Sequence, residues 1–193
     1  MIAGKHKHIL LKAIIDNTEV KIELSLTSNT YRRSSPDAPE LVVTTTIANV
    51  DVLTIELRGE KDNGTILEDG FRIEHFKFYD LTKRREVINK KPFPGTCDPR
   101  FALQPCSVVE LRSSSPLVVR QVLDRISPMS DPVRQLEVGH EYRITLKPQT
   151  VWSFAGSKKD LFDGESSIDV KDLPEGALVR LESAAELKLK VEA

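Results

Sequence analysis

Aromatic residues and glycine are both scarce in this sequence. Aromatics account for 6% of the 193 residues, so a core has to be built mainly from Val, Leu and Ile. The nine glycines form neither a phosphate-binding loop nor a dinucleotide-binding fingerprint. A Gly-x-Ser-x-Gly nucleophile elbow is also missing. The nucleotide-binding and hydrolase classes that depend on these motifs are therefore excluded.

An excess of charge of either sign is missing as well. The 28 Lys and Arg residues are matched by 29 Asp and Glu residues, which gives a net charge of −1. Such a balance creates no overall field that would attract nucleic acid or an anionic membrane. Lys12 interrupts the apolar run from Ile9 to Ile15, so neither a signal peptide nor a membrane span is predicted. We expect a cytoplasmic protein whose partners are neither nucleic acids nor membranes.

Cysteine is limited to Cys97 and Cys106, which share one Pro-rich stretch. In a chain without a leader, two free thiols are favoured over a disulfide that would close this short loop. No histidine lies near them in the sequence, which makes the pair a poor metal site. We therefore predict no metal and no cofactor.

The dominant pattern that is present is alternation of apolar and polar residues. It occupies residues 19–27, 40–48, 51–60 and 185–193, among about nine or ten such runs. One apolar face and one polar face per strand is typical of antiparallel sheets. The spacing of the turn residues between the runs suits a sandwich of two sheets. We predict a single all-β domain over residues 1–193, with long loops and at most one or two short helices.

Residues Val118–Ile126 are ambiguous. Their apolar positions form a helical stripe, but β-branched residues are frequent among them. Together with the preceding residues from Val108 they also suit a hairpin. A strand is the preferred prediction, and a helix remains the alternative.

Two stretches resemble parts of immunoglobulin-like β-sandwich domains. In LEVGHEYRITL, Leu136, Gly139 and Tyr142 form a Leu-x-x-Gly-x-x-Tyr arrangement ahead of an alternating run, which resembles a tyrosine corner. The resemblance implies that the glycine permits the turn and that the tyrosine hydroxyl bonds to backbone upstream. LVVTTTIANVDVLTIEL, residues 41–57, resembles the strand–turn–strand unit of such domains. The Cys–Trp–Cys pattern of antibody domains is absent, so the resemblance indicates an immunoglobulin-like architecture rather than a particular family.

The stretch FRIEHFKFYD contains the main candidate for catalysis. Read as one strand, it places Phe71, Ile73, His75 and Tyr79 on one face, while two further phenylalanines occupy the other. Two apolar faces require either a bulge or a cover over the second face. His75 is then a candidate general base, with Tyr79 beside it. The alternative, which is favoured, is a hydrogen-bonded histidine on a covered strand.

The largest apolar side chains outside the regular strands cluster around Trp152 and Phe154. On the surface these two would form a binding spot. Packed inward they would close one end of the sandwich, which is the preferred prediction. His140, in the corner turn, is expected to be exposed, and the acidic segment 157–174 is expected to be a solvated loop.

Two functional hypotheses follow. The first is a non-catalytic binding module with a protein partner or a small apolar ligand, because no catalytic set is recognisable. The second is a cofactor-independent enzyme of the cyclase or isomerase type. Its apolar pocket would include Phe71, Ile73, His75 and Tyr79, with Trp152 and Phe154 as a lid.

Overall fold

The structure is a computed structural model that describes residues 18–35, 37–57, 64–68, 73–88, 102–124 and 131–193. As predicted, it is all-β with antiparallel sheets, and the described residues include two short α-helices. The strands are β1 (Glu19–Leu26), β2 (Thr30–Arg32), β3 (Glu40–Ala48), β4 (Val52–Glu56), β5 (Phe76–Asp80), β6 (Arg85–Glu86), β7 (Ala102–Leu103), β8 (Val108–Arg112), β9 (Leu117–Val122), β10 (Glu141–Leu146), β11 (Gln149–Ala155), β12 (Ile168–Asp169), β13 (Ala177–Leu181) and β14 (Leu187–Glu192), and the helices are α1 (Asp131–Arg134) and α2 (Lys158–Phe162).

The described strands form three larger sheets and one short ribbon. The three-stranded sheet has the order β1-β3-β9, the five-stranded sheet β2-β14-β10-β5-β6 and the four-stranded sheet β13-β11-β4-β8. β7 and β12 form the ribbon. All pairs are antiparallel except β2 with β14, which run in parallel.

Several turns carry the chain from one sheet to another, and two of them lie in stretches singled out in the sequence. Asn49, with a φ of 70°, lies in the turn between β3 and β4, which belong to different sheets. Residues 113–116 likewise connect β8 in the four-stranded sheet to β9 in the three-stranded sheet. Residues Val118–Val122 are thus a strand, as preferred. The helix alternative is therefore wrong. The hairpin that this strand was expected to form with Val108–Arg112 is not found, because β9 pairs with β3 and β8 pairs with β4.

The inward faces of the three larger sheets share one apolar cluster, called the main core here. Period-2 alternation explains its membership, because alternate residues of each strand point to the same face. Its fully buried members include Leu41, Val43, Leu53, Ile55, Ile73, Tyr142, Ile144, Leu181, Leu189 and Val191.

Segment 157–174 was expected to be a loop but contains helix α2, strand β12 and a 3-10 turn. Helix α2 begins with a capping box in which Ser157 and Asp160 bond each other's backbone N–H groups. Among the described residues, no helix combines the length and the apolar character needed to cross a membrane. Phe71 and Cys97 lie outside the described residues, and Cys106 is an exposed free thiol.

Candidate functional site

Tyr142 closes the turn that precedes β10. Its hydroxyl is buried with the ring and accepts a hydrogen bond from the Glu137 N–H at 2.7 Å. Gly139 has a φ of 84°, a value that favours glycine, and its N–H donates to the Val191 carbonyl. Burial raises the pKa of the Tyr142 phenol, although the Glu137 N–H opposes this. The geometry fastens the turn to the five-stranded sheet.

His140 lies beside Tyr142 in the same turn. Its side chain is only 15% exposed, so the prediction of an exposed histidine was wrong. The reason is Asp80, sixty residues earlier, whose Oδ2 lies 2.9 Å from His140 Nδ1. A carboxylate can only accept, so Nδ1 carries the proton. His140 Nε2 faces Glu137 at 3.8 Å, and Glu137 also binds Lys83.

Asp80 remains charged in this network. Burial on its own would raise the pKa of Asp80, but hydrogen bonds from the Lys83 N–H, the His140 ring and the Thr82 N–H outweigh it. The pKa of Asp80 is therefore lowered. The hydrogen bond from Lys83 also lowers the pKa of Glu137. These contacts connect the turn after β5 to the turn before β10, which is a structural role.

The predicted catalytic residues do not share one face. Ile73 and His75 belong to a 3-10 turn, Ile73–His75, that precedes β5. Period-2 alternation starts only after it, so Tyr79 points to the outer face of the five-stranded sheet while Phe78 enters the main core. The interpretation of one continuous strand was wrong for this physical reason.

His75 is buried, with 7% of its surface exposed. Gln149 Oε1 accepts the Ile66 N–H at 3.2 Å, so the Gln149 amide nitrogen is the group that lies 2.9 Å from His75 Nδ1. An amide nitrogen is a donor, so His75 Nδ1 accepts and a neutral ring carries its proton on Nε2. A proton on His75 Nδ1 would face the N–H of the Gln149 amide, so two donors would meet with no acceptor between them. The arrangement connects residues 64–68 to the 3-10 turn before β5 and to β11.

A shallow groove of about 210 Å³ lies on the outer face of the five-stranded sheet. Tyr79 lines it, with the Arg143 guanidinium 5.0 Å from the ring centroid. Arg143 also pairs with Glu186 at 3.4 Å. Lys77, Glu86 and Thr145 complete the lining. His75 does not line this groove, so this site does not bring Tyr79 and His75 together.

Trp152 and Phe154 lie on the outer face of the four-stranded sheet, whereas Val151 points into the main core. They are half-buried and pack on a second apolar cluster, called the outer cluster here: Leu103, Val108, Leu161 and Phe162. Helix α2 and the β7–β12 ribbon supply most of it. The two aromatics thus lie under a layer outside the sheet, neither at the end of the sandwich nor free on the surface.

β9 lies at the end of its sheet, and among the described strands it pairs with β3 alone. No pattern in the sequence predicted this position. The Leu123 N–H, just beyond β9, donates to the Pro39 carbonyl at 2.9 Å, so odd-numbered residues bond to β3. Backbone groups of alternate residues in an antiparallel ladder face opposite edges. The N–H and C=O groups of Val118, Arg120 and Val122 therefore face away from β3. In the described part of the chain no strand pairs with these three residues, which are called the β9 edge here.

The side chains of the β9 edge lie on the outer face of the three-stranded sheet. Val118 is 44% exposed and Val122 is 41% exposed. Arg120 lies between them and binds Glu40 at 2.9 Å. The side-chain amide of Gln121 donates a hydrogen bond of 3.0 Å to one of the edge-facing groups, the Val122 carbonyl. The Val-x-Arg-x-Val pattern was visible in the sequence, but that β9 ends a sheet was not.

Among the described residues, no group of three or more His, Cys, Asp or Glu side chains is arranged to hold a metal ion. No protein-family model matches the chain, and neither a curated protein nor a solved structure shows significant similarity to it.

Proposed function

We propose that this protein is a non-catalytic binding module that pairs the β9 edge with an extended segment of a partner protein. The observation that carries the proposal is that the edge-facing backbone groups of Val118, Arg120 and Val122, in a six-residue strand, pair with no described strand. Of these groups the Val122 carbonyl accepts a hydrogen bond from the Gln121 side chain. In this mode of recognition, main-chain hydrogen bonds supply affinity and alternate side chains supply specificity. Each hydrogen bond contributes about 0.5–1.5 kcal/mol.

The other described edge strands are less suited to this role. β2 and β6 have only three and two residues. β1 and β13 lie against each other, and β8 contacts α2. Among the described edge strands, the β9 edge is the longest run of edge backbone without such a neighbour, and two of its three outward side chains are exposed valines, with Arg120 as the one charge between them.

The enzyme hypothesis has less support. It requires His75 to face a cavity that admits a substrate, whereas His75 is buried and bonded to Gln149. The groove beside Tyr79 is smaller than the roughly 300 Å³ typical of small-molecule sites. A charged, open groove also suits a small apolar substrate poorly.

The proposal is tested with a displayed library of random octapeptides. Peptides that bind should protect the amide protons of Val118, Arg120 and Val122 from exchange with solvent, measured by NMR on the full chain. The amide of Val119, which bonds to β3, should already be protected in the free protein. A library without binders, or binders that leave the β9 edge amides unprotected, would contradict the proposal.

Proline variants supply a matched pair of controls. Val118→Pro removes an N–H that faces the edge, so the β3–β9 ladder stays complete while peptide binding weakens by about 2- to 12-fold. Val119→Pro removes an N–H that bonds to β3, and we expect it to lower the free energy of unfolding. Unchanged peptide affinity in a folded Val118→Pro variant would count against the β9 edge.

A further inference from the structure

We infer that the partner segment carries a carboxylate side chain flanked on the same face by two apolar residues. This inference rests on the proposed function and adds the chemistry of the partner. A strand added to β9 places alternate side chains on the outer face, directly beside Val118, Arg120 and Val122. The partner therefore meets an apolar, a cationic and an apolar neighbour in that order.

Arg120 is available for such a contact. Its Nη1 donates to Glu40, but its side chain remains 56% exposed and a guanidinium has five N–H donors. The bond to Glu40 holds the guanidinium in place over the sheet. Carboxylates match the fork of donors that a guanidinium presents. A partner carboxylate opposite Arg120 thus meets a positioned cation rather than a mobile one.

A second copy of this chain fits less well. An antiparallel β9–β9 pair centred on Arg120 would place each Arg120 directly opposite its counterpart, and like charges opposite each other in a ladder are destabilising. The valines would match in that register, but the charges would not. The charge of the edge favours a different chain with an acidic residue at this position.

The test uses a host peptide with blocked ends, Ser-Val-Thr-Xaa-Thr-Val-Ser, in which Xaa is Glu, Gln or Lys. Its two valines and Xaa share one face. Binding is measured from NMR shifts of the β9 edge amides in the full chain. We expect the Glu peptide to bind about two- to fivefold more tightly than the Gln peptide, and the Lys peptide to bind most weakly.

The variant Arg120→Gln separates charge from backbone pairing. It should lose the preference for the Glu peptide over the Gln peptide, because Arg120 is the cation that the peptide carboxylate meets. If wild-type protein binds the three peptides equally, the inference about the carboxylate is wrong while the proposed function stands. If no peptide binds and no displayed peptide binds either, both fail. If the β9 edge amides are protected without peptide and sedimentation shows a dimer, the occupant is a second copy and the inference is overturned.

Discussion

Tyr142→Phe tests the closure of the turn before β10 with the loss of a single oxygen atom. The variant leaves the Glu137 N–H without its acceptor at 2.7 Å, while the ring and its packing in the main core stay in place. Orphaning a buried donor costs about 1–3 kcal/mol. Glu137 itself is half-buried, so we expect the lower half of that range, about 1–2 kcal/mol, and a melting temperature lower by roughly 2–4 °C per kcal/mol.

The measurement is urea unfolding followed by far-UV circular dichroism, and the slope of the unfolding free energy against urea concentration should be unchanged. Tyr79→Phe is the control, because Tyr79 is half-buried on the outer face, outside the main core, and its hydroxyl makes no hydrogen bond within the described residues. That change should alter the free energy of unfolding by less than about 0.5 kcal/mol. Equal effects of the two changes would refute the reasoning.

The same pair of variants makes an alkaline prediction. The folded state raises the pKa of Tyr142, so above about pH 10 the unfolded chain releases a proton that the folded chain retains. Wild-type stability should therefore fall as pH rises past about 10. Tyr142→Phe should show a smaller fall than Tyr79→Phe.

Three further changes probe other contacts. Asp80→Asn should destabilise the protein at neutral pH. Since folding lowers the pKa of Asp80, the difference in unfolding free energy between wild type and variant should be present above about pH 3.9 and disappear as the pH falls through the lower pKa of the folded state. Urea unfolding at several pH values measures this difference. Gln149→Leu removes the amide that binds the Ile66 N–H and the His75 ring and should cost about 1–3 kcal/mol in the same assay. A neutral result would show that these two hydrogen bonds are dispensable. Gly176→Ala introduces a Cβ that would overlap the Trp152 indole and the backbone beneath it, so it should lower stability and change Trp152 emission, whereas wild-type emission would contradict this packing.

The strands were largely predictable because alternation is a local property. β1, β3, β4 and β14 each carry the period-2 pattern that the sequence shows, and the β-branched residues of β9 outweighed its helical stripe. The pattern misled at Ile73–His75, where a 3-10 turn interrupts the alternation and reverses which residues share a face. No local signal marks that interruption.

Contacts between distant segments were not predictable. The burial of His140 depends on Asp80, and the parallel pairing of β2 with β14 joins residues about 160 positions apart. Alternation places Trp152 and Phe154 on one face of their strand. That residues of α2 pack on this face depends on the position of α2 in the fold, which the sequence pattern does not show. The β9 edge was invisible for the same reason, since the order of strands in a sheet is a property of the whole chain.

The separate cover over Trp152 has a consequence for any unfolding experiment on this molecule. Trp152 is the only tryptophan, and it contacts the outer cluster rather than the main core. Helix α2 has five residues, so the layer that shields the indole is small. The free energy needed to detach this layer should therefore be lower than the free energy needed to unfold the sheets. Tryptophan emission and circular dichroism should then report transitions at different urea concentrations. A midpoint taken from emission would describe the detachment of the outer layer and not the global unfolding of the protein.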